Sequence, residues 1–408
     1  MKEKNGNPKG KSWFLVLVSA FIVLTFLGGL QTAASAAKEP VIVGAICPIT
    51  GPNAEWGRKN RIALQMLEKE VNAAGGIKGH PVKILIYDSA QDAKQVASLV
   101  RKLAMDDKAI GIAGPLFSSM CEVGFPVANR EGIISISQAS AKPGVAAKNR
   151  PWGFRNTIDE YRLAIHTVPL FVKMFNIKTL ASIYDIEDAT STVLGKKILP
   201  KLAQENGIDV VNFKKLVTFR SEDADVSAQV TKLASYNVDG IIMGADYGPA
   251  SVVIREMNKQ GLVKPVVGGT PLISETILGA AGKCPVMAPA TFYTGVPDPV
   301  IQDFIKRFRM EAKKAGLKNL DPTMYDVNIS DNAKMIIQAA AETNTGLTRK
   351  SLKEDRIKVR EYVKNLTDAK FKGLSGFRGF NKDGDGLKKI YLLLIEPGSG
   401  KWKVAKDL

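Results

Sequence analysis

The sequence predicts an α/β fold in which parallel sheets are flanked by helices and divided between two lobes. Three observations predict it. Short apolar strands alternate with amphipathic helices along most of the chain, the signature of parallel sheets with helices on both faces. That grammar runs through once and is then repeated, alike in pattern but without a short-period sequence repeat. Residues 37–408 also exceed one comfortable hydrophobic core, so two domains are expected.

The first 36 residues read as an address. Lys2, Lys4, Lys9 and Lys11 form a basic head, an apolar run extends from Trp13 to Leu30, and Ala34-Ser35-Ala36 supplies the small-x-small pattern of a cleavage site. This predicts a cleavable signal peptide over 1–36 and a periplasmic or extracytoplasmic mature protein. The competing reading is an uncleaved anchor, but Ser19, Thr25 and two glycines weaken the span. With no cysteine at the cleavage point, lipid anchoring is not expected.

The mature chain opens on strand 41–46, a polar loop and helix 57–74, which carries Ala63, Leu64, Leu67 and Val71 on one face. Gly75-Gly76 stops the helix, because glycine takes the left-handed C-terminal conformation cheaply. Strand 82–87 follows. Asp92 and Gln95 form a capping-box pattern before helix 93–106. Strand 109–113, helix 119–130 and strand 133–137 complete a first sheet. The second series comprises helix 161–175, strand 179–184, helix 190–206, strand 209–217, helix 224–236, strand 238–243, helix 249–261 and strand 265–268. A short helix near 274–281 and a strand near 286–293 close it. Beyond Pro299, helices are expected at 299–315, 323–343 and 356–367. A β-like tail comes last, with Phe377–Phe380, a turn at Asn381–Gly386 and a strand over Leu387–Ile395. The turn NKDGDG superficially resembles a calcium loop, but position 12 counted from Asn381 is Leu392 rather than a carboxylate, so a hairpin turn is expected.

Composition excludes several function classes. The formal charge of +17 is spread along the chain without a dense Lys/Arg tract or interleaved aromatics, which argues against nucleic acid and leaves a solvated surface or weak attraction of small anions. Cys47, Cys121 and Cys284 show no metal or disulfide spacing, and buried free thiols are expected ahead of a Cys47–Cys121 bridge. His80, in a Gly-His-Pro turn, and His166, within a helix, read as structural. No G-x-S-x-G or H-E-x-x-H pattern occurs. No catalytic residue, metal site or cofactor is therefore expected, and the chain is read as a monomeric non-enzyme.

Four segments in register carry a resemblance. They are Gly44–Pro52 with Trp56-Gly57, Val71–Gly79 with Tyr87-Asp88, Gly114–Ser119, and Ile134–Ser137 leading to Ser140-Ala141. Their order and spacing resemble the periplasmic leucine/isoleucine/valine-binding proteins, the substrate-binding proteins of branched-chain amino acid ABC transporters, over the whole mature chain. The resemblance implies a type I periplasmic binding fold of two Rossmann-like lobes, 37–157 plus 294–374 and 158–293 plus 375–408, joined by three crossovers near 157, 294 and 375. It also implies a small-molecule ligand in the inter-lobe cleft and a membrane permease as partner.

Site residues follow from chemistry and resemblance together. Ser118 and Ser119 directly precede a predicted helix, whose first N–H groups and partial positive charge suit an anion; the plain alternative is helix capping. Ser140 and Ala141 follow the next strand and add backbone donors. By resemblance, Ser119, Ser140 and Ala141 hold the ligand carboxylate, with Ala141 standing where the family often has threonine. Trp56, in the loop after the first strand, is expected to wall the cleft. Across the cleft the family's glutamate position falls on Thr270, and a family tyrosine is replaced by Ala189 or Thr190. Asp185, Asp246 and Tyr247, at strand ends, are the candidates to replace that anionic partner, each with an alternative role as a cap or turn residue. If Asp246 does not meet an α-ammonium, the ligand is expected to be another carboxylate, such as an aromatic or keto acid, or an amide. A ligand sensor on the same fold and a secreted enzyme are the alternatives to an importer's receptor.

Overall fold

The computed structural model describes Met1 and residues 38–407. The expected signal peptide otherwise lies outside the described residues. Among those residues no helix is long and apolar enough to cross a membrane.

The first lobe is organised by five parallel strands, β1 (Val41–Cys47), β2 (Val82–Asp88), β3 (Ile112–Ala113), β4 (Ser135–Ser137) and β5 (Gly153–Arg155), in the order β2-β1-β3-β4-β5. Val43, Ala45 and Ile46 of β1 are fully buried, as expected for a strand covered on both faces. The order reverses direction between β1 and β3, and such a switch point opens a crevice at the carboxyl ends of the strands. Helices Ala54–Ala73, Ala93–Met105 and Ser118–Glu131 follow β1, β2 and β3 in turn. Gly114, which ends β3, has φ 115°, and a Cβ there would lie 2.6 Å from the Ile46 carbonyl oxygen. Only glycine lets the chain pass β1 so closely and deliver residues 115–118 to the crevice.

The second sheet contains β6 (Thr179–Asp185), β7 (Asp209–Val210), β8 (Val217–Phe219), β9 (Gly240–Gly244), β10 (Val266–Gly268) and β11 (Val286–Ala290), which are mutually parallel. The strand expected over 209–217 is broken into β7 and β8, both paired to β6, because a turn at 211–215 interrupts it. The helix expected over 190–206 runs from Ala189 to Glu205, with a wider π-helical turn at Leu194–Ile198. Pro200 has no N–H to give to the carbonyl of Lys196. A Cβ on Gly195 would stand 2.4 Å from that of Tyr184, so this segment lies directly on β6.

After β11 the chain returns to the first lobe. Helix Met324–Glu342 packs on helix Ala54–Ala73 and on β1, β3 and β4; helix Leu352–Lys364 packs beside it, and helix Pro299–Lys314 packs on helix Ala54–Ala73. The hairpin β12 (Phe377–Phe380) and β13 (Gly386–Lys388) follows, its turn closed by Asn381 Oδ1 accepting the N–H groups of Asp383 and Asp385, both at 2.9 Å. Then β14 (Tyr391–Ile395) and β15 (Trp402–Asp407) join the second sheet, with β14 antiparallel to β11. Two expectations are corrected here. The single tail strand is two strands in different sheets. The last crossover lies at 388–391 rather than near 375, because the hairpin belongs with the first lobe. Phe380 packs on Phe154, Phe377 packs on Phe371, and Asp385 pairs with Arg155 at 2.5 Å.

All three cysteines are buried free thiols. Burial pushes the Cys121 thiol up to about 12.

Candidate functional site

The carboxyl ends of β1, β3 and β4 face those of β6, β9 and β10, and the loops beyond them line one cavity. Its volume is only about 20 Å³, scarcely more than one water. The two lobes are therefore nearly closed over it. Trp56, in the first turn of helix Ala54–Ala73, is 2% exposed and forms its centre. The indole lies 4.5 Å from the ring of Tyr247, 4.9 Å from Tyr325 and 5.9 Å from Phe117. Its ring N–H is buried without a hydrogen-bond partner, although a buried donor ordinarily finds one.

The first lobe's wall consists of Ser118, Ala139 and Ala141 together with Leu116 and Phe117. Helix Ser118–Glu131 has Phe117 at its N-cap, and no side chain caps it. The first intrahelical donor is Cys121, to the Phe117 carbonyl, so the N–H groups of the first turn are unused by the helix. The Ser118 hydroxyl lies 3.0 Å from that of Ser140 and 2.9 Å from that of Thr190 across the cleft. It also accepts the Lys142 N–H at 3.3 Å. Arg155, 1% exposed, fixes this loop by donating to the carbonyls of Ser140 and Lys142 at 3.2 and 2.6 Å. No hydrogen bond of the Ala141 N–H occurs among the described residues. This wall is uncharged and rich in donors.

The second lobe's wall carries Asp188, Thr190, Asp246 and Pro271. Asp246 is the N-cap of helix Tyr247–Lys259, but its side chain does not cap the helix. One of its oxygens instead accepts from the Asn53 side-chain amide of the first lobe at 3.1 Å. Burial, then the carboxylates of Asp188 and Asp185, hold the Asp246 carboxyl well above the usual range. Asp188 caps helix Ala189–Val193 by accepting the Ser191 N–H at 2.7 Å, and burial raises it too. Behind them Glu160, 1% exposed, accepts the Thr270 N–H at 3.2 Å and the Thr270 hydroxyl. Burial is the largest influence on it and pushes its carboxyl up to about 7. No lysine or arginine lines the cavity.

The residues expected from sequence are distributed unevenly around this cavity. Trp56, Ser118, Ala141 and Asp246 line it. Ser140 stands behind Ser118. Ser119 is half-buried and its hydroxyl is off the wall, because the helix starts one residue earlier than expected and Ser118 takes the inward position. Tyr247 supports the Trp56 ring. Thr270 is turned onto Glu160. Asp185 is spent on its own turn, accepting the Glu187 N–H at 2.9 Å and the Ser221 hydroxyl. Sequence reasoning missed Asp188, Tyr325, Phe117, Ala139 and Pro271 at the cavity, and Glu160 and Arg155 behind it. The Asp188-Ala189-Thr190-Ser191 cap signal was present in the sequence, but Asp185 was preferred for ending its strand.

Residues 40–400 match a family model described as periplasmic binding protein. The chain belongs to the periplasmic binding protein family. Its two-lobed architecture is the type I periplasmic binding fold. A relative from Pseudomonas aeruginosa, a leucine-, isoleucine-, valine-, threonine- and alanine-binding protein, is 25% identical over 89% of this chain and 91% of its own. Among solved structures, a branched-chain amino acid transporter substrate-binding protein from Streptococcus pneumoniae, in complex with isoleucine, superposes with a TM-score of 0.76 at 20% identity, covering 91% of this chain and 99% of that one. A solute-binding protein of an ABC transporter from R. palustris, in complex with 4-hydroxybenzoate, superposes at 0.74 and 18% identity, covering 91% and 97%. At such identities the superpositions speak to the fold of this periplasmic binding protein. Its ligand has to be argued from its own walls.

Proposed function

We propose that this chain is the extracytoplasmic solute receptor of an ABC importer, exported by a cleavable signal peptide, that binds a small α-amino acid between its lobes and delivers it to a membrane permease. It is a receptor and not an enzyme. The observation that carries the reading is that Ser118 and the acids Asp188 and Asp246 line one cavity from opposite lobes. A ligand carboxylate is matched by the Ser118 hydroxyl, the open first turn of its helix and the Ala139–Ala141 loop. An α-ammonium is matched by Asp246 with Asp188, which lie among buried acids and gain most from a cation. The negative charge that the resemblance would place at position 270 is thus supplied from 246 and 188. The Trp56 N–H adds one more donor, and the surrounding rings offer an apolar seat for the side chain.

The lobes must part for a ligand to enter so small a cavity. Asn53–Asp246, Ser118–Thr190 and Trp56–Tyr247 are the contacts across the cleft that reform on closure. A ligand favours closure only through contacts that it makes better in that state.

A second reading, an aromatic carboxylate without an ammonium, is favoured by the aromatic lining and by the 4-hydroxybenzoate bound in the R. palustris structure. It leaves Asp188 and Asp246 facing a ligand with no cation. Calorimetry with L-amino acids, the corresponding 2-keto acids and 4-hydroxybenzoate separates the two. An L-amino acid is expected to bind at least 100-fold more tightly than its keto acid; tighter binding of 4-hydroxybenzoate than of any amino acid overturns the proposal.

A further inference from the structure

The lobes also meet outside the cleft. Helix Glu275–Ala281 of the second lobe begins beside Asp321 of the first, and the Glu275 carboxylate accepts the Asp321 N–H at 3.1 Å. Both residues line a side cavity that has no residue in common with the cleft cavity.

Each side of this contact is held in place by its own lobe. The Asp321 carbonyl accepts from the Lys59 ammonium at 2.8 Å, and the Asp321 carboxylate pairs with Arg309. Lys59 is fully buried and paired with Glu55 at 3.0 Å, and Glu55 also accepts the Asn319 side-chain amide at 2.9 Å. With its carbonyl and carboxylate fixed, Asp321 presents its N–H to the other lobe in a set direction. On the second lobe, Ser274 caps the helix by accepting the Thr276 N–H at 3.0 Å, which places Glu275 at the first helical position. Lys59 and Arg309 attract the Glu275 carboxylate, whereas Asp321 and Glu55 repel it. Two cations against two anions leave the hydrogen bond as the main tie.

Every partner in this cluster lies about one turn of chain from a residue of the cleft. Pro271 precedes Glu275, Tyr325 follows Asp321 and Trp56 precedes Lys59, and all three line the cleft cavity. The connections are stiff. A 3-10 turn over Thr270–Leu272 leads into the Ser274 cap. Pro322, with its fixed φ, follows Asp321, and Thr323 with Asp326 forms a capping box at the start of helix Met324–Glu342.

From this arrangement we infer that Glu275 is a positioning residue for the cleft: its bond to Asp321 is a latch that forms as the lobes meet and keeps Pro271 and Tyr325 seated on the ligand without touching it. The inference rests on the reading of the cleft as the ligand site. A latch made after the ligand has entered slows its release and leaves its entry alone.

Stopped-flow kinetics with L-leucine and X-ray scattering of the ligand-free protein test it. Glu275→Ala is expected to speed L-leucine dissociation about tenfold while changing association by less than about twofold. The ligand-free variant should also be more expanded than the wild type. Glu275→Gln can still accept the Asp321 N–H and should remain within about threefold of the wild type. Arg309→Gln, which releases the Asp321 side chain at an exposed position, should act in the same direction as Glu275→Ala but more weakly, and it carries the test if Glu275→Ala does not fold. A role confined to the helix would alter the melting temperature without separating the two rates. The inference is overturned by dissociation and scattering that match the wild type, by association slowed as much as dissociation is speeded, or by Glu275→Gln releasing L-leucine as fast as Glu275→Ala. If the wild type binds no L-amino acid, the cleft reading fails by itself, and the scattering comparison decides the latch.

Discussion

The two walls of the cleft solve opposite problems with different materials. The first lobe presents donors without a net charge: one serine hydroxyl, a helix start and a loop whose carbonyls are held by Arg155. The second presents carboxylates, Asp188 and Asp246 at the cavity and Glu160 behind them, with no lysine or arginine lining the cavity. Backbone donors are fixed by the fold and lose little when the cleft is unfilled. Buried carboxylates crowd one another, and the crowding is relieved only by protonation or by a cationic partner. The first wall is thus built mainly for position, and the second stores unfavourable electrostatics that the proposed ligand's ammonium would release.

If this contrast holds, the strongest effect comes from the acidic wall. Asp246→Asn is expected to reduce amino-acid affinity by about 100-fold or more, the cost of removing one partner of a buried charged contact. The same change should raise the melting temperature of the ligand-free protein, because it removes a carboxylate that burial and Asp188 disfavour. Calorimetric titration and scanning calorimetry check both; a loss of affinity accompanied by a loss of stability would break the contrast. On the donor wall, Ser118→Ala should weaken binding by about tenfold with no gain in stability, since the Ser140 and Thr190 hydroxyls lose a partner.

Glu160 gives the contrast a pH dependence. Its carboxyl is raised from 4.5 to about 7 in the folded protein. The folded state then binds the proton more tightly than the unfolded one, so this contribution is complete below pH 4.5 and is lost as pH rises to 7. Up to about 3 kcal/mol is at stake. Urea titrations of the wild type and Glu160→Gln across that window should diverge, with the variant flatter; parallel curves would remove Glu160 from the acidic wall. The smallest effect is expected from Asn53→Ala, which breaks a contact between the lobes at 3.1 Å. Affinity should fall by about fivefold, and X-ray scattering should show the ligand-free protein more expanded than the wild type.

The alternation of strands and helices was legible because fully buried strands and one-sided helices have distinct periods. The signals that end elements, such as Gly114 after β3, placed the loops that line the cleft. What escaped was what depends on where side chains turn. Asp185, at the end of β6, and Asp188, at the start of the next helix, are three residues apart, and nothing local tells which will face the cavity. The answer came from Ser221, on another loop, which occupies Asp185. Glu160 was hidden for a similar reason, since its meaning depends on Thr270, 110 residues away. The tail was misjudged because Leu387 and Leu392 both read as strand, and only their partners, β12 for the one and β11 for the other, show that the chain changes sheets between them.

Trp56 touches both lobes, with its ring against Tyr247 on one side and Tyr325 on the other. The sequence contains only four tryptophans. Trp13 falls in the expected signal peptide, outside the described residues, and neither Trp152 nor Trp402 lines the cleft cavity. The cleft thus contains its own fluorophore. Separating the lobes would take Tyr247 away from the indole and admit water to its ring nitrogen, shifting its emission to the red. The protein can therefore report its own closure optically, without a label, in a stopped-flow cell as readily as in a cuvette.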